Sequence, residues 1–278
     1  MSIQIITDGS SDLPAGWREK AGVHVVPLKV MFDEEESTSE MDAGEFYERM
    51  KQGKSLPKTS SPSPHDFLQA YRKSADRDLL VICLSSGLSS TYHHALMAKE
   101  MLLEEGFAGI IEVLDARTTS LGLGVLVMQA ARLAASGRGI EETAAFVRSR
   151  IPHTATLFTL DTLENVIKGG RLDRFRGTVA TVLNIKLLMQ ASEEGTLELV
   201  EKCRGRQNAV RRLIDFVGEK ETELGDRVLG IAHSNCLDRA LAVKEEIEKR
   251  YSFREIVVSD MGPVIGTYAG EGGLLLAF

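Results

Sequence analysis

The sequence predicts an α/β fold of two domains. The first is built on a mostly parallel, Rossmann-like sheet with helices, the second on a mixed or antiparallel sheet with helices. Three observations predict it. Over residues 1–150, short apolar runs alternate with segments of helical period. Beyond them, strand-like runs crowd together and helices separate only some of them. The 278 residues also exceed what one hydrophobic core ordinarily serves. The boundary is expected near Ile151-Pro152-His153, dividing the chain into residues 1–152 and 153–278.

In chain order, the first strands are Ile3-Gln4-Ile5-Ile6, His24-Val25-Val26-Pro27-Leu28, Leu79-Leu80-Val81-Ile82-Cys83-Leu84 and Ile110-Ile111-Glu112-Val113-Leu114. Helical spacing predicts helices over 42–51, 64–74, 90–105 and 121–135, the last apolar almost all round and therefore buried. Ser63 is the expected N-cap of the second helix, with Pro64 in its first turn. The acidic run Asp33-Glu34-Glu35-Glu36 reads as a solvated loop. In the second domain, strands are expected over 156–160, 187–191, 197–201, 227–232, 255–259 and 274–278. Ser192-Glu193-Glu194-Gly195 joins two of them as a hairpin, which makes this sheet mixed or antiparallel. Helices over 207–221 and 237–251 carry apolar residues at three and four spacing and pack on it.

Composition excludes several classes. An apolar fraction of 43% and a charged fraction of 26% are those of a soluble globular protein. A net charge of −7 argues against nonspecific nucleic-acid binding, so an acidic ligand needs a local site. Cys83, Cys203 and Cys236 are odd in number and form no CxxC pair, which fits a reducing, cytoplasmic compartment and offers no zinc site. No leader-like segment opens the chain, and no apolar stretch approaches the roughly 18 residues that span a bilayer. There is no Gly-x-x-x-x-Gly-Lys-Ser/Thr loop, Gly-x-Ser-x-Gly elbow or His-Glu-x-x-His helix, so no catalytic residue, metal or cofactor is expected. His93 and His94, adjacent on a helix, diverge by about 100° and do not share a metal.

Four polar or glycine-rich segments sit where apolar runs stop: Thr7-Asp8-Gly9-Ser10-Ser11-Asp12, Pro57-Lys58-Thr59-Ser60-Ser61-Pro62, Ser85-Ser86-Gly87-Leu88-Ser89-Ser90-Thr91, and the run from Gly262 to Gly270. Short side chains and glycine let a ligand oxygen approach hydroxyls and main-chain N–H groups, so such segments form anion cradles. The serine turn leads into a helix, where Ser89 or Ser90 serves equally as a cap. In Lys168-Gly169-Gly170-Arg171 a left-handed glycine stops a short helix and projects a guanidinium, a permanent charge with paired donors. Arg174 and Arg176 beside it read as a solvated face.

In this order the segments resemble the DegV family, fatty-acid-binding proteins that serve as lipid-carrying subunits of bacterial fatty acid kinase. Thr7-Asp8 with Ser10-Ser11-Asp12-Leu13-Pro14 matches the family's opening motif, Thr59-Ser60 with Pro62 its second and Ser85 to Tyr92 its third. Leu163-Glu164-Asn165 through Gly170-Arg171, and Gly262-Pro263-Val264-Ile265-Gly266-Thr267, complete it, and the likeness spans essentially the whole chain.

The resemblance implies a long-chain fatty acid, for example palmitate, stearate or oleate, with its tail buried in the second domain and its carboxylate at the domain interface. A separate ATP-dependent kinase would phosphorylate that carboxylate to an acyl phosphate for phospholipid metabolism. Carried over position by position, the carboxylate contacts are Thr59, Ser60, Ser86, Gly87, Ser89, Ser90, Arg171 and Tyr268. The chain itself would be a lipid carrier rather than an enzyme, with the kinase subunit as partner and transient contact with a membrane surface. It departs from the family pattern at Tyr268, where histidine is usual, at Leu187 after Lys186, and at Glu271 after Gly270. Tyrosine donates a hydrogen bond but stays neutral at pH 7. The alternative is a stand-alone phosphotransfer enzyme related to dihydroxyacetone kinase, which would bind ATP or metal without a partner.

Overall fold

The computed structural model describes residues 2–172, 184–221 and 223–278. The chain runs β1 (Ile3–Asp8), α1 (Ala15–Lys20), β2 (His24–Val26), β3 (Lys29–Phe32), β4 (Glu35–Thr38), α2 (Ala43–Gln52), β5 (Lys58–Ser60), α3 (Pro64–Arg72), β6 (Asp78–Cys83), α4 (Thr91–Glu104), β7 (Ile111–Asp115), α5 (Leu121–Ala135) and α6 (Ile140–Arg150). A 3-10 turn, Ile151–His153, leads to β8 (Thr156–Thr159), α7 (Glu164–Lys168), β9 (Ile185–Ala191), β10 (Leu197–Arg204), α8 (Arg206–Lys220), β11 (Val228–His233), α9 (Leu237–Arg250), β12 (Glu255–Asp260), α10 (Pro263–Ala269) and β13 (Leu274–Ala277).

Three sheets organise these elements. The first is parallel, ordered β2-β1-β6-β7, and its inner strand β6 is buried at every residue, its apolar run Leu79 to Cys83 being what a parallel strand covered on both faces requires. The second is mixed, ordered β10-β9-β8-β13-β11-β12, with only β11 and β12 parallel. The expected hairpin is present as β9 and β10, paired antiparallel with a bulge between Leu199 and Glu201. The third sheet, β4-β3-β5, is small and antiparallel, and the sequence reading did not foresee it. It corrects one expectation. Glu35 and Glu36 lie in β4 and are not loop residues, while Asp33 makes the tight turn of the β3–β4 hairpin at φ +49°. A solvated hairpin edge accepts charged side chains as readily as a loop does.

α5 matches its predicted span and is buried from Leu121 through Met128. It touches β1 and β6 of the parallel sheet and β11 and β13 of the mixed sheet, so one apolar helix serves both cores. The capping expectation for α3 also holds: the Ser63 hydroxyl accepts from the Asp66 N–H, Asp66 answers to the Ser63 N–H, and Pro64 opens the helix. The Gly262–Gly270 run contains a helix, α10, with Pro263 in its first turn and Gly270 closing it at φ +63°. Among the described residues, no helix is long and apolar enough to cross a membrane.

Candidate functional site

A cavity of about 100 Å³ that opens to solvent lies between the carboxyl ends of the parallel strands and the mixed sheet. Ligands of open parallel sheets bind at such strand ends. Its walls are largely apolar. Leu84 and Leu88 come from the loop after β6, Phe158 and Leu160 from β8 and its end, Leu197 and Leu275 from β10 and β13, and Val264, Ile265 and Ala269 from α10. Among the described residues, the polar lining is Thr59, Ser61, Ser89, Thr119, Arg171 and Tyr268.

Local sequence explains how these groups converge. On β5, Lys58 and Ser60 are exposed and Thr59 turns inward, the alternation of a strand. Gly169 ends α7 in a right-handed conformation and Gly170, at φ +76°, makes the left-handed turn that sends Arg171 back toward the cavity. A Cβ on Gly169 would stand 2.4 Å from Cε1 of Tyr268, so only glycine lets that ring lie flat on the turn. α10 presses on α2 just as closely, since a Cβ at Gly266 would meet the Phe46 ring and the Tyr47 hydroxyl at 2.7 Å.

The polar wall is a connected unit. The Thr59 and Tyr268 hydroxyls are 2.5 Å apart, and the Arg171 guanidinium carbon lies 4.9 Å from the centre of the Tyr268 ring. Arg171 donates to the carbonyl of Gly169 at 2.6 Å and to that of Leu88 at 3.4 Å. Among the described residues, no carboxylate pairs with it. A fixed cation in an apolar cavity, with hydroxyl donors beside it and no counter-charge, is suited to holding an anionic head group.

Behind the opposite wall lies a buried acidic network. Asp8 accepts from the N–H and hydroxyl of Ser10 (3.0 and 2.6 Å) and from the N–H of Leu84 (2.7 Å). Asp12 accepts from the Ser120 hydroxyl (2.6 Å) and the Gly262 N–H (2.8 Å). Burial raises both carboxyls above their ordinary range, Asp12 to about 7, against the opposing pull of these hydrogen bonds. His233 is buried, which lowers its pKa, and its Nδ1 lies 3.5 Å from Asp260.

Of the residues expected at the head group, Thr59, Ser89, Arg171 and Tyr268 line the cavity. Four do not. Ser60 is exposed on the other face of β5. The Ser86 hydroxyl donates to Asp115 at 2.5 Å, with its N–H on the same carboxylate. The Gly87 N–H donates to the Ser85 hydroxyl, and Gly87 packs against the carbonyls of Glu194 and Gly195 in the β9–β10 turn. Ser90 begins α4 and lies 2.7 Å, hydroxyl to hydroxyl, from Ser61. His94 is half-buried and hydrogen-bonds the Pro62 carbonyl at 2.7 Å. Arg174 and Arg176 lie outside the described residues. Ser61 and Thr119 line the cavity without having been singled out; for Thr119 the available signal was its place beyond the carboxyl end of β7. No group of three or more His, Cys, Asp or Glu able to hold a metal ion occurs among the described residues.

Comparison with known proteins gives a consistent picture. A family model described as "Uncharacterised protein, DegV family" matches residues 2–278. A DegV domain-containing protein of Caldanaerobacter subterraneus is 32% identical over 273 residues, covering 96% of this chain and 95% of its own. Among solved structures, a DegV family protein of Ruminococcus gnavus with vaccenic acid superposes with a TM-score of 0.93 at 28% identity, covering 100% of both chains. The fatty acid kinase B3 protein of Streptococcus pneumoniae, loaded with linoleic acid, has a TM-score of 0.88 at 26% identity, covering 100% of this chain and 99% of that one.

Proposed function

The chain belongs to the DegV family, and on that premise we propose that it binds a long-chain fatty acid, tail in the apolar cavity and carboxylate against Arg171. Thr59, Ser89 and Tyr268 complete the head-group set. The observation that carries this reading is the polar wall itself, a guanidinium with no carboxylate partner among the described residues, stacked on a tyrosine ring and flanked by hydroxyls, in a cavity whose remaining lining is largely aliphatic and aromatic. Solved relatives carrying vaccenic and linoleic acids support it. So does the energetics, since each buried methylene adds about 0.8 kcal/mol and about ten of them supply micromolar affinity.

The finer reading is that the bound acid is held for a separate ATP-dependent kinase, which forms the acyl phosphate while this chain shields the tail. Resemblance to a fatty acid kinase B protein supports that role. A cytoplasmic location and a division of the chain into residues 1–152 and 153–278 belong to the same proposal. All strands of the parallel sheet precede that division and all strands of the mixed sheet follow it.

Organic extraction and mass spectrometry of protein purified without added lipid, paired with native mass spectrometry, test the binding reading. One fatty acid per chain is expected; a protein that purifies empty and refuses palmitate and oleate removes it. For the kinase reading, the chain mixed with ATP and fatty acid should leave the acid unchanged until a fatty acid kinase catalytic subunit is added. Acyl phosphate formed by the chain alone would instead establish the stand-alone enzyme.

A further inference from the structure

The entry to α10 is tied down by three hydrogen bonds. The Met261 N–H donates to the His233 carbonyl at 2.7 Å, and the Tyr47 hydroxyl donates to the Met261 carbonyl at 3.0 Å. The third runs from the Gly262 N–H to Oδ1 of Asp12 at 2.8 Å, while Oδ2 of Asp12 accepts from the Ser120 hydroxyl at 2.6 Å. Of the three, only this last bond reaches the loops that follow β1 and β7. Asp12 therefore bridges α10 to the residue beside Thr119, bonding Gly262 across a sequence separation of 250 residues and Ser120 across 108.

Both ends of the bridge in those loops carry unusual backbone. Asp12 has φ +49° and Ser120 φ +55°, the left-handed region that non-glycine residues seldom occupy. Such conformations are costly and persist only where the surroundings over-determine them, and they gather at ligand clamps. Here the two strained residues are hydrogen-bonded to each other, and the Ser120 N–H also donates to the Ser10 carbonyl at 2.9 Å. Asp12 does not line the cavity. What it holds does: Met261, Val264, Ile265, Tyr268 and Ala269 face the ligand space from α10 and its entry.

We infer that Asp12 is a positioning residue, whose carboxyl fixes the stance of α10 against the parallel-sheet loops and thereby the width of the path taken by the acyl tail. This rests on the fatty-acid reading above. The bridge does not depend on charge. With Asp12 protonated, one oxygen still accepts from Gly262 and the other donates to the Ser120 oxygen, which exchanges roles freely. Burial, which lifts the Asp12 pKa to about 7, favours that neutral form. An amide reproduces it, Oδ1 toward Gly262 and Nδ2 toward Ser120. Asp12→Asn should thus preserve the wall and Asp12→Ala should release it, the remaining tethers from Tyr47 and His233 keeping α10 attached.

The test is the affinity of the full chain for laurate, myristate and palmitate, measured by titration calorimetry for the natural protein and both variants. A close-fitting tail path gives roughly a fourfold gain per methylene. Asp12→Asn is expected to keep that increment. Asp12→Ala is expected to flatten it to less than about twofold and to weaken palmitate binding roughly tenfold, the loss of one buried hydrogen-bond partner. A uniform weakening of all three acids with the increment intact would make Asp12 merely structural and overturn the inference. So would equal impairment of the asparagine variant. If Asp12→Ala does not fold, Ser120→Ala stands in, removing the same bridge from its other end; an unchanged increment there also overturns the inference. Failure of the natural protein to bind any of the acids overturns the fatty-acid reading, and this inference with it.

Discussion

The two sides of the cavity spend their polar groups differently. On the parallel-sheet side, Asp8, Ser10, Asp12, Ser85, Ser86, Asp115 and Ser120 satisfy one another and the backbone in closed pairs. On the other side, Thr59, Arg171 and Tyr268 form a small set with no counter-charge among the described residues, and all three face the cavity. Both regions are rich in hydroxyls. What separates them is whether a carboxylate is present to consume the donors: Asp8, Asp12 and Asp115 do so on one side, and among the described residues no carboxylate does so for Arg171 on the other. A hydroxyl-rich loop is thus as readily a fastening as a binding site, and its buried acids tell which.

Changes on the fastened side should cost stability, and the largest effect is expected at Asp8. Replacing it with alanine strands the Ser10 N–H, the Ser10 hydroxyl and the Leu84 N–H in a buried place. A loss on the order of 3–5 kcal/mol in the free energy of unfolding is expected, read from urea denaturation. A loss below about 1 kcal/mol would mean that the network is slack and the comparison mistaken. Asp12 offers a sharper measurement through pH. Its carboxyl is raised by burial from 3.8 to about 7, so the folded chain holds this proton more tightly than the unfolded chain does. The stabilising contribution is complete below about pH 4, declines as pH rises, and is gone above about pH 7. Relative to the natural protein, Asp12→Asn should gain stability across that window, by no more than about 4 kcal/mol, and level off beyond it. A stability difference between the two proteins that stays constant from pH 4 to 8 would show that Asp12 ionises normally.

Changes on the open side should cost binding and leave stability nearly untouched. Arg171→Ala removes the one charge that the described residues bring to the wall and leaves the ligand carboxylate in an apolar cavity without that partner. The expected loss is about 1.5–3 kcal/mol, or roughly 10- to 150-fold in fatty-acid affinity, with the unfolding midpoint little changed. Equal losses of binding from Arg171→Ala and from Ser86→Ala would erase the distinction between the two sides.

How much of this was legible in the sequence follows from the same physics. The buried strands and α5 announce themselves because continuous apolar runs have one use in a soluble chain. β4 does not, since Glu35-Glu36-Ser37-Thr38 is a polar edge strand whose pairing with β3 is decided by tertiary packing. α1 and α6 were missed because one is short and the other presents a largely polar surface. α10 carried the signals of a helix, Pro263 at its start and Gly270 at its end, but Gly262, Gly266 and Gly270 read as a glycine-rich segment for cradling an anion. For the site, Arg171 was visible because a charge after two glycines must point somewhere. Ser86 and Gly87 lie off the cavity because their partners, Asp115 and the β9–β10 turn, come from distant chain. No sequence pattern assigns a hydroxyl to one of two competing acceptors.

Tyr268 is where the open side can be probed most finely, because its ring and its hydroxyl have separable duties. The ring fills the space that Gly169 leaves and lies under the Arg171 guanidinium. The hydroxyl meets only Thr59, at 2.5 Å, within the described hydrogen bonds. Phenylalanine keeps the ring and removes the hydroxyl. If the pair of hydroxyls acts on the head group, with one orienting the other, Tyr268→Phe should lower fatty-acid affinity by roughly 3- to 10-fold, the worth of one net hydrogen bond of about 0.5–1.5 kcal/mol. Stability should stay within about 0.5 kcal/mol, since Thr59 is only partly buried and water can replace the lost partner. Unchanged affinity would assign the hydroxyl to Thr59 alone, leaving Arg171 and Ser89 as the head-group contacts. A loss as large as that of Arg171→Ala would instead mean that the guanidinium needs the phenol to hold its place, so that the wall is one cooperative unit rather than a charge with helpers.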